Sequence, residues 1–346
     1  MKTLKIGIIG CGWVSNGHIA AWKKLDGVEV AALCDVNIEA AKVMAGKWKI
    51  DKYYGDFSEL LKNSDLDVVD ICTPPSTHKD FMVQAMEAGV NALTEKPMTM
   101  SVKEAQEIVD VKNRTGMMAG VVHNWLFEPT IREAISLVER GDLGEIINIE
   151  VEALDTKNDS MLANQKHWCH SIVGGRFGEM LPHPIYLTRK FLGPDVKVES
   201  LKVSKVGDYP WVKYDELCGI CSVGNKMGRI YASFNSPRDA IFVNIYGKDA
   251  NLKTDIINST FVKYPRRENM RFSKGLDSIK QAAQITSSTV KNVAMVTTGG
   301  WDSGVDSIVK LYAEALRSHG TPPVPVEEGL EVIKILEKMT SIIDSS

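Results

Sequence analysis

The chain has 346 residues, 44% hydrophobic and 25% charged, which is an ordinary globular composition with length enough for two cores. A net charge of -3 gives no electrostatic reason to expect nucleic acid or an anionic membrane as partner. Six scattered cysteines, no secretory leader before the first strand and no apolar run of membrane-spanning length lead to the expectation of a reducing cytoplasm.

In chain order the first part alternates between two hydrophobic periods. "LKIGIIG", "VEVAALCD", "DVVDICTP", "VNALTE" and "MMAGVVHN" are continuous apolar runs, and amphipathic helical segments such as "NIEAAKVMAGKW" and "SVKEAQEIVDVKNRTG" separate them. Apolar strands alternating with amphipathic helices predict a parallel sheet covered on both faces. From "GEIINIEVEAL" onward the strands lengthen and alternate ("VKVESLKVSKV", "DELCGICSV", "MGRIYASF", "AIFVNIYG", "ANLKTDII"), as in an antiparallel sheet. The expected class is α/β: an N-terminal parallel-sheet domain over 1–122, which the glycine turn after its first strand and the acid ending its second make a Rossmann dinucleotide-binding domain, and an α+β domain over 123–346 with a large, mostly antiparallel open sheet. The closing helices are free to pack back on the first domain.

"GIIGCGWVSNGH" joins the first strand to the first helix. Gly10 permits the tight turn and Gly12 lets a pyrophosphate approach the backbone, with Trp13 and Val14 in the same turn. Ser15 stands where a Gly or Ala is usual. The helix N-terminus offers free N–H groups to phosphate. Asp35, at the end of the second strand, has the spacing of an acid that binds ribose hydroxyls; it would repel a 2'-phosphate, and no arginine follows it. These features predict NAD, with NADP less favoured. In "TEKPM" the residue before Pro97 is pushed toward extended backbone, so Lys96 leaves the strand end with its ammonium group turned from the core.

Gly10 to His18, "CTPPSTH" at Cys72 to His78 and "EKP" at Glu95 to Pro97, followed by "GGRFGEMLPH", resemble the Gfo/Idh/MocA oxidoreductase family over nearly the whole chain. The resemblance implies a lysine beside nicotinamide and substrate, here Lys96. It also implies an acid followed four residues later by the histidine that exchanges the substrate proton, here Glu179 and His183. Glu179 is one methylene longer than the family's aspartate. Pro182 and Pro184 limit how far a helix extends back from His183, so Glu179 either pairs with it or lies before the helix. Glu95, Thr73, Pro74 and His78 match segments that meet the cofactor, with a polar helix cap as the other reading of His78. Asn124 and His123 match the segment entering the second domain, with Trp125 and Phe127 read as core. His167, Trp168 and His170 of "KHWCH" match a loop that meets substrate. No second close-spaced ligand pair supports zinc there, and no metal is expected.

Other signals stay outside this reading. "CGIC" has redox spacing in an alternating strand and is read as packing. Arg266, Arg267, Arg271 and Lys274 form a basic stretch, either a solvated loop or a holder of a nucleotide-linked substrate's phosphate. The helical 275–300 segment has no functional account. The implied activity is NAD-dependent hydride transfer at a secondary alcohol carbon of a sugar, cyclitol or nucleotide-sugar-like substrate. Redox-assisted glycoside cleavage and a non-catalytic dinucleotide sensor are the alternatives. A homodimer or homotetramer through the second sheet is expected, "AIFVNIYG" supplying its apolar face.

Overall fold

A computed structural model describes residues 3–266 and 273–346, without the side chains of 273–275. Contacts divide the chain into two compact units, Met1–Asn124 with Gly304–Glu337, and Trp125–Ser303 with Lys338–Ser346.

The first unit runs β1 (Leu4–Ile9), α1 (Ser15–Lys23), β2 (Val28–Cys34), α2 (Ile38–Trp48), β3 (Lys52–Tyr54), α3 (Phe57–Asn63), β4 (Val68–Ile71), α4 (His78–Glu87), β5 (Asn91–Thr94), α5 (Val102–Thr115) and β6 (Ala119–Val121). Every pairing in its sheet is parallel, in the order β3-β2-β1-β4-β5-β6. Central strands of such a sheet are covered on both faces, and all four residues of β4 are buried. Strand order reverses between β1 and β4, so the loops leaving their carboxyl ends flank the crevice where this topology binds ligands.

The second unit runs α6 (Pro129–Glu139), β7 (Ile146–Thr156), α7 (Ser160–Ala163), α8 (Gly175–Met180), α9 (Pro182–Leu192), β8 (Lys197–Ser204), β9 (Glu216–Val223), β10 (Lys226–Ser236), β11 (Ala240–Gly247), β12 (Ala250–Asp255), β13 (Thr260–Pro265) and α10 (Ser273–Thr297). Its sheet has the order β13-β12-β11-β7-β10-β9-β8. It is antiparallel except where β7 and β10 pair in parallel at its middle. Helix α9 packs on β7 and β10. The strand "AIFVNIYG" turns Val243 and Ile245 into the core, and Asn244 and Tyr246 to the other face. That other face is mixed, with Phe242, Leu154 and Ile220 among charged and hydroxyl groups, and not the apolar one expected from the alternation. Arg229 pairs with Glu150 and Glu152, and Tyr246 and Tyr231 donate to Glu150 and Glu216. Period-two apolar residues can serve only one face, and here the helices take it.

The chain ends in α11 (Gly304–Ser318) and α12 (Val326–Ser345). Helix α11 packs on α1 within the first unit, and Tyr312 donates to the carbonyls of Ala92 and Met118 at 3.0 and 3.1 Å. Among the described residues no helix is long and apolar enough to cross a membrane.

Candidate active site

The glycine loop forms as its residue types require. Gly10 has φ +91°, and a Cβ there would lie 2.8 Å from the Cys72 carbonyl oxygen. A Cβ at Gly12 would meet nothing within 4 Å, so the backbone is open to a ligand on that side. Ser15 is buried and donates to the Gly12 carbonyl at 2.7 Å, so the departure from a smaller residue adds a bond inside the loop. No side chain caps the first turn of α1; its Asn16 and Gly17 N–H groups turn back on the Trp13 and Val14 carbonyls at 3.3 and 3.0 Å. Trp13 is 89% exposed and Val14 partly so. The carboxylate of Asp35 accepts from Cys11 N–H at 2.7 Å and from Asn37 N–H at 2.8 Å. It thus fixes the glycine loop.

Lys96 leaves β5 at a bend, and a buried ionic chain holds its backbone. Glu95 accepts from Lys96 N–H at 3.0 Å through Oε2, and its Oε1 lies 2.9 Å from His18 Nε2. His18 Nδ1 lies 2.8 Å from Asp70 Oδ2, which also accepts from the Trp22 indole at 2.7 Å. Burial opposes a charge on His18, but attraction to Asp70 and the bond between them outweigh it and push its pKa well above the ordinary value. Burial would likewise raise the Glu95 pKa, yet the bond and charge of His18, with Lys96, hold it below the usual range. His18 is therefore an imidazolium bridging two carboxylates. It has Asp70 and Cys72 ligand atoms within 4.8 Å, but both ring nitrogens face carboxylates and neither presents a lone pair to a cation.

His78 is buried at the start of α4, with Nδ1 2.9 Å from the Pro97 carbonyl and Nε2 2.8 Å from the Thr73 carbonyl. Burial lowers its pKa. It ties the Thr73–Pro74 loop to the segment after Lys96. Pro74 is exposed, and Thr73 receives a hydrogen bond from Thr77 at 2.7 Å.

In the second unit Pro182 opens α9, placing His183 in its first turn and Glu179 on the preceding α8. Glu179 forms an ion pair with buried Arg176, which also meets Asp155 at 2.7 Å and Asp159 at 3.1 Å. Burial raises the Asp155 pKa to about 6. His183 is buried, with Nδ1 2.7 Å from the Tyr186 hydroxyl. Trp125, half-buried instead of core, stacks on it with centroids 4.0 Å apart and planes at 12°.

In the "KHWCH" loop His167 Nδ1 accepts from Cys169 N–H at 3.3 Å, and His170 Nε2 lies 3.0 Å from the Met161 carbonyl. Burial lowers the His167 pKa and pushes the Cys169 thiol up to about 12. The Trp168 ring is tilted against that of His167 at 5.1 Å. Asn124 is the last residue of that stretch of the first unit and opens a short turn over Asn124–Phe127, and His123 beside it is buried. Arg266 is exposed, whereas Arg267, Arg271 and the Lys274 side chain lie outside the described residues.

Two family models match this chain. "Oxidoreductase family, NAD-binding Rossmann fold" covers residues 4–123, and "Oxidoreductase family, C-terminal alpha/beta domain" covers 135–343. The chain belongs to the Gfo/Idh/MocA oxidoreductase family. Among curated members it is 32% identical to the D-apiose dehydrogenase of Paraburkholderia graminis over 144 residues, 42% of this chain and 38% of that protein. It is 30% identical to a glycosyl hydrolase family 109 protein of Shewanella pealeana over 159 residues, 43% of this chain and 35% of that protein. The matches thus span well under two thirds of these relatives. The fold is shared with the WlbA dehydrogenase of Bordetella pertussis, solved with NADH and UDP-GlcNAcA: TM-score 0.82 at 18% identity, covering 99% of this chain and 96% of that one. The open backbone at Gly12 fits the dinucleotide of a family whose first domain is NAD-binding.

Sequence reasoning missed His18 and Asp70 as supports of the EKP strand end, and Trp125 and Tyr186 as neighbours of His183. Tyr186 carried a signal, since residues three apart share a helix face. His18 lies 77 positions from Glu95, and only the fold joins them.

Proposed function

We propose that the protein is an NAD-dependent dehydrogenase acting on a secondary alcohol carbon of a sugar, cyclitol or nucleotide sugar. In this reading the backbone of Gly10, Gly12, Trp13 and Val14 receives the pyrophosphate and Asp35 the ribose hydroxyls, while Thr73, Pro74, His78 and Glu95 shape the nicotinamide end. NAD, when bound, exchanges a hydride with the alcohol carbon. His183 takes the hydroxyl proton, a task suited to a base that titrates near neutrality. Lys96 hydrogen-bonds the same oxygen and stabilises its developing negative charge. Glu179, held by Arg176, sets the negative field of the second unit, and Asn124, His167, Trp168 and His170 contact substrate hydroxyls. The observation that carries the reading is the support given to Lys96: a buried chain of Asp70, His18 and Glu95 fixes the backbone of one lysine at a strand end.

We place the protein in the cytoplasm, because all six cysteines are free thiols. We infer a homodimer or homotetramer through the face of the seven-stranded sheet that carries Phe242, Leu154 and Ile220. Redox-assisted cleavage of a glycoside is a second reading, favoured by the likeness to glycosyl hydrolase family 109 proteins. A screen of purified protein with NAD and D-apiose, myo-inositol, UDP-N-acetylglucosamine and p-nitrophenyl glycosides separates the readings. Net NADH formation with an alcohol supports the dehydrogenase. Release of p-nitrophenol with no net NADH supports the glycosidase. Turnover in neither assay, with NAD bound, would leave the sensor reading.

A further inference from the structure

His183 is gripped on an edge and on a face. The Tyr186 hydroxyl, one turn along α9, lies 2.7 Å from Nδ1, and the same oxygen accepts the backbone N–H of Trp125 at 3.0 Å. The Trp125 indole lies over the imidazole at 4.0 Å and the Tyr186 ring stands edge-on at 5.6 Å and 73°. A neutral imidazole has one N–H and one lone pair. If Nδ1 took the tyrosine proton, the ring hydrogen would sit on Nε2, which could then accept nothing. With the hydrogen on Nδ1 and donated to Tyr186 Oη, Nε2 keeps the lone pair. A phenol oxygen has two lone pairs, enough to accept from Trp125 N–H and from Nδ1–H together.

We propose that Tyr186 is the positioning residue for His183, its hydroxyl accepting from Nδ1–H and so holding the tautomer in which Nε2 is basic. The assignment rests on reading His183 as the proton acceptor. The Nδ1–H bond to Oη persists when the ring gains its second proton, and the indole face then attracts the imidazolium. The Nδ1 edge of His183 thus faces a neutral phenol.

The test is 15N–1H NMR of histidine-labelled full-length protein, without ligand, in the unmodified chain and in Tyr186→Phe, which keeps the ring and removes the oxygen. The unmodified protein is expected to show neutral His183 with its hydrogen on Nδ1, and Tyr186→Phe to shift it toward Nε2–H. On any alcohol oxidised in the screen, kcat of Tyr186→Phe should fall about tenfold or more with KM little changed. An Nε2–H tautomer in the unmodified protein overturns the proposal, and so does a variant with unaltered tautomer and kcat. Near-normal turnover in His183→Ala overturns the base assignment instead, a result the tautomer signal cannot imitate.

Discussion

Replacing His18 by leucine removes the only cation of a buried set and leaves Asp70 and Glu95 facing each other, Asp70 fully buried and the Glu95 side chain 13% exposed. Two charge-assisted bonds, at 2.8 and 2.9 Å, disappear together. Breaking a buried ion pair by removing one partner costs about 3–5 kcal/mol, chiefly because the charge left behind is unpaired. Urea unfolding of the first unit, followed by fluorescence of Trp22 beside Tyr312, should therefore show His18→Leu destabilised by that amount. Adding Glu95→Gln removes one stranded charge and should restore part of the loss.

The pH dependence has a definite sign. The His18 pKa is raised above its ordinary 6.5, so its contribution is complete below 6.5 and is lost as pH rises through the folded value. The Glu95 pKa is lowered from 4.5, so its contribution is complete above 4.5 and is lost as pH falls through the folded value. The gap between unmodified protein and His18→Leu should be widest between those limits and narrow on both sides. A variant within about 1 kcal/mol of the unmodified protein at pH 6 would refute the imidazolium bridge.

Four further outcomes are expected. Asp35→Ala should weaken NAD binding about tenfold or more and narrow the preference over NADP, because it removes ribose contacts, repulsion and the anchor of Cys11 N–H; calorimetric titration with both cofactors checks it. Lys96→Ala and His183→Ala should each cut turnover about a hundredfold or more with NAD affinity nearly unchanged, and Glu179→Gln should do less. Asp155, raised from 3.8 to about 6, should make the second unit lose stability as pH climbs through that range, on the order of 2–3 kcal/mol, and Asp155→Asn should flatten the slope in thermal melts. Light scattering at micromolar concentration should show a dimer or tetramer, and a clean monomer would rule out assembly through the sheet face.

The sequence by itself determined the parallel sheet, the glycine turn and the break in the backbone at Lys96. Each is written in a local pattern: continuous apolar runs for doubly covered strands, Gly10 where a Cβ would strike a carbonyl, Pro97 after the lysine. It left open whether Glu179 shares a helix with His183, since Pro182 and Pro184 only limit how far that helix extends back; in the structure α9 begins at Pro182 and Glu179 lies on α8. Only the tertiary structure decided which charges meet. His18, Asp70 and Glu95 come from three elements brought together by the strand order β1-β4-β5, and no period in the chain links them. Glu179 went to Arg176 because a buried guanidinium needs several carboxylates, and Asp155, Asp159 and Glu179 supply them from separate segments. Which face of the second sheet is apolar was likewise settled by where α9 packs, since alternation names two faces and leaves open which one a helix will cover.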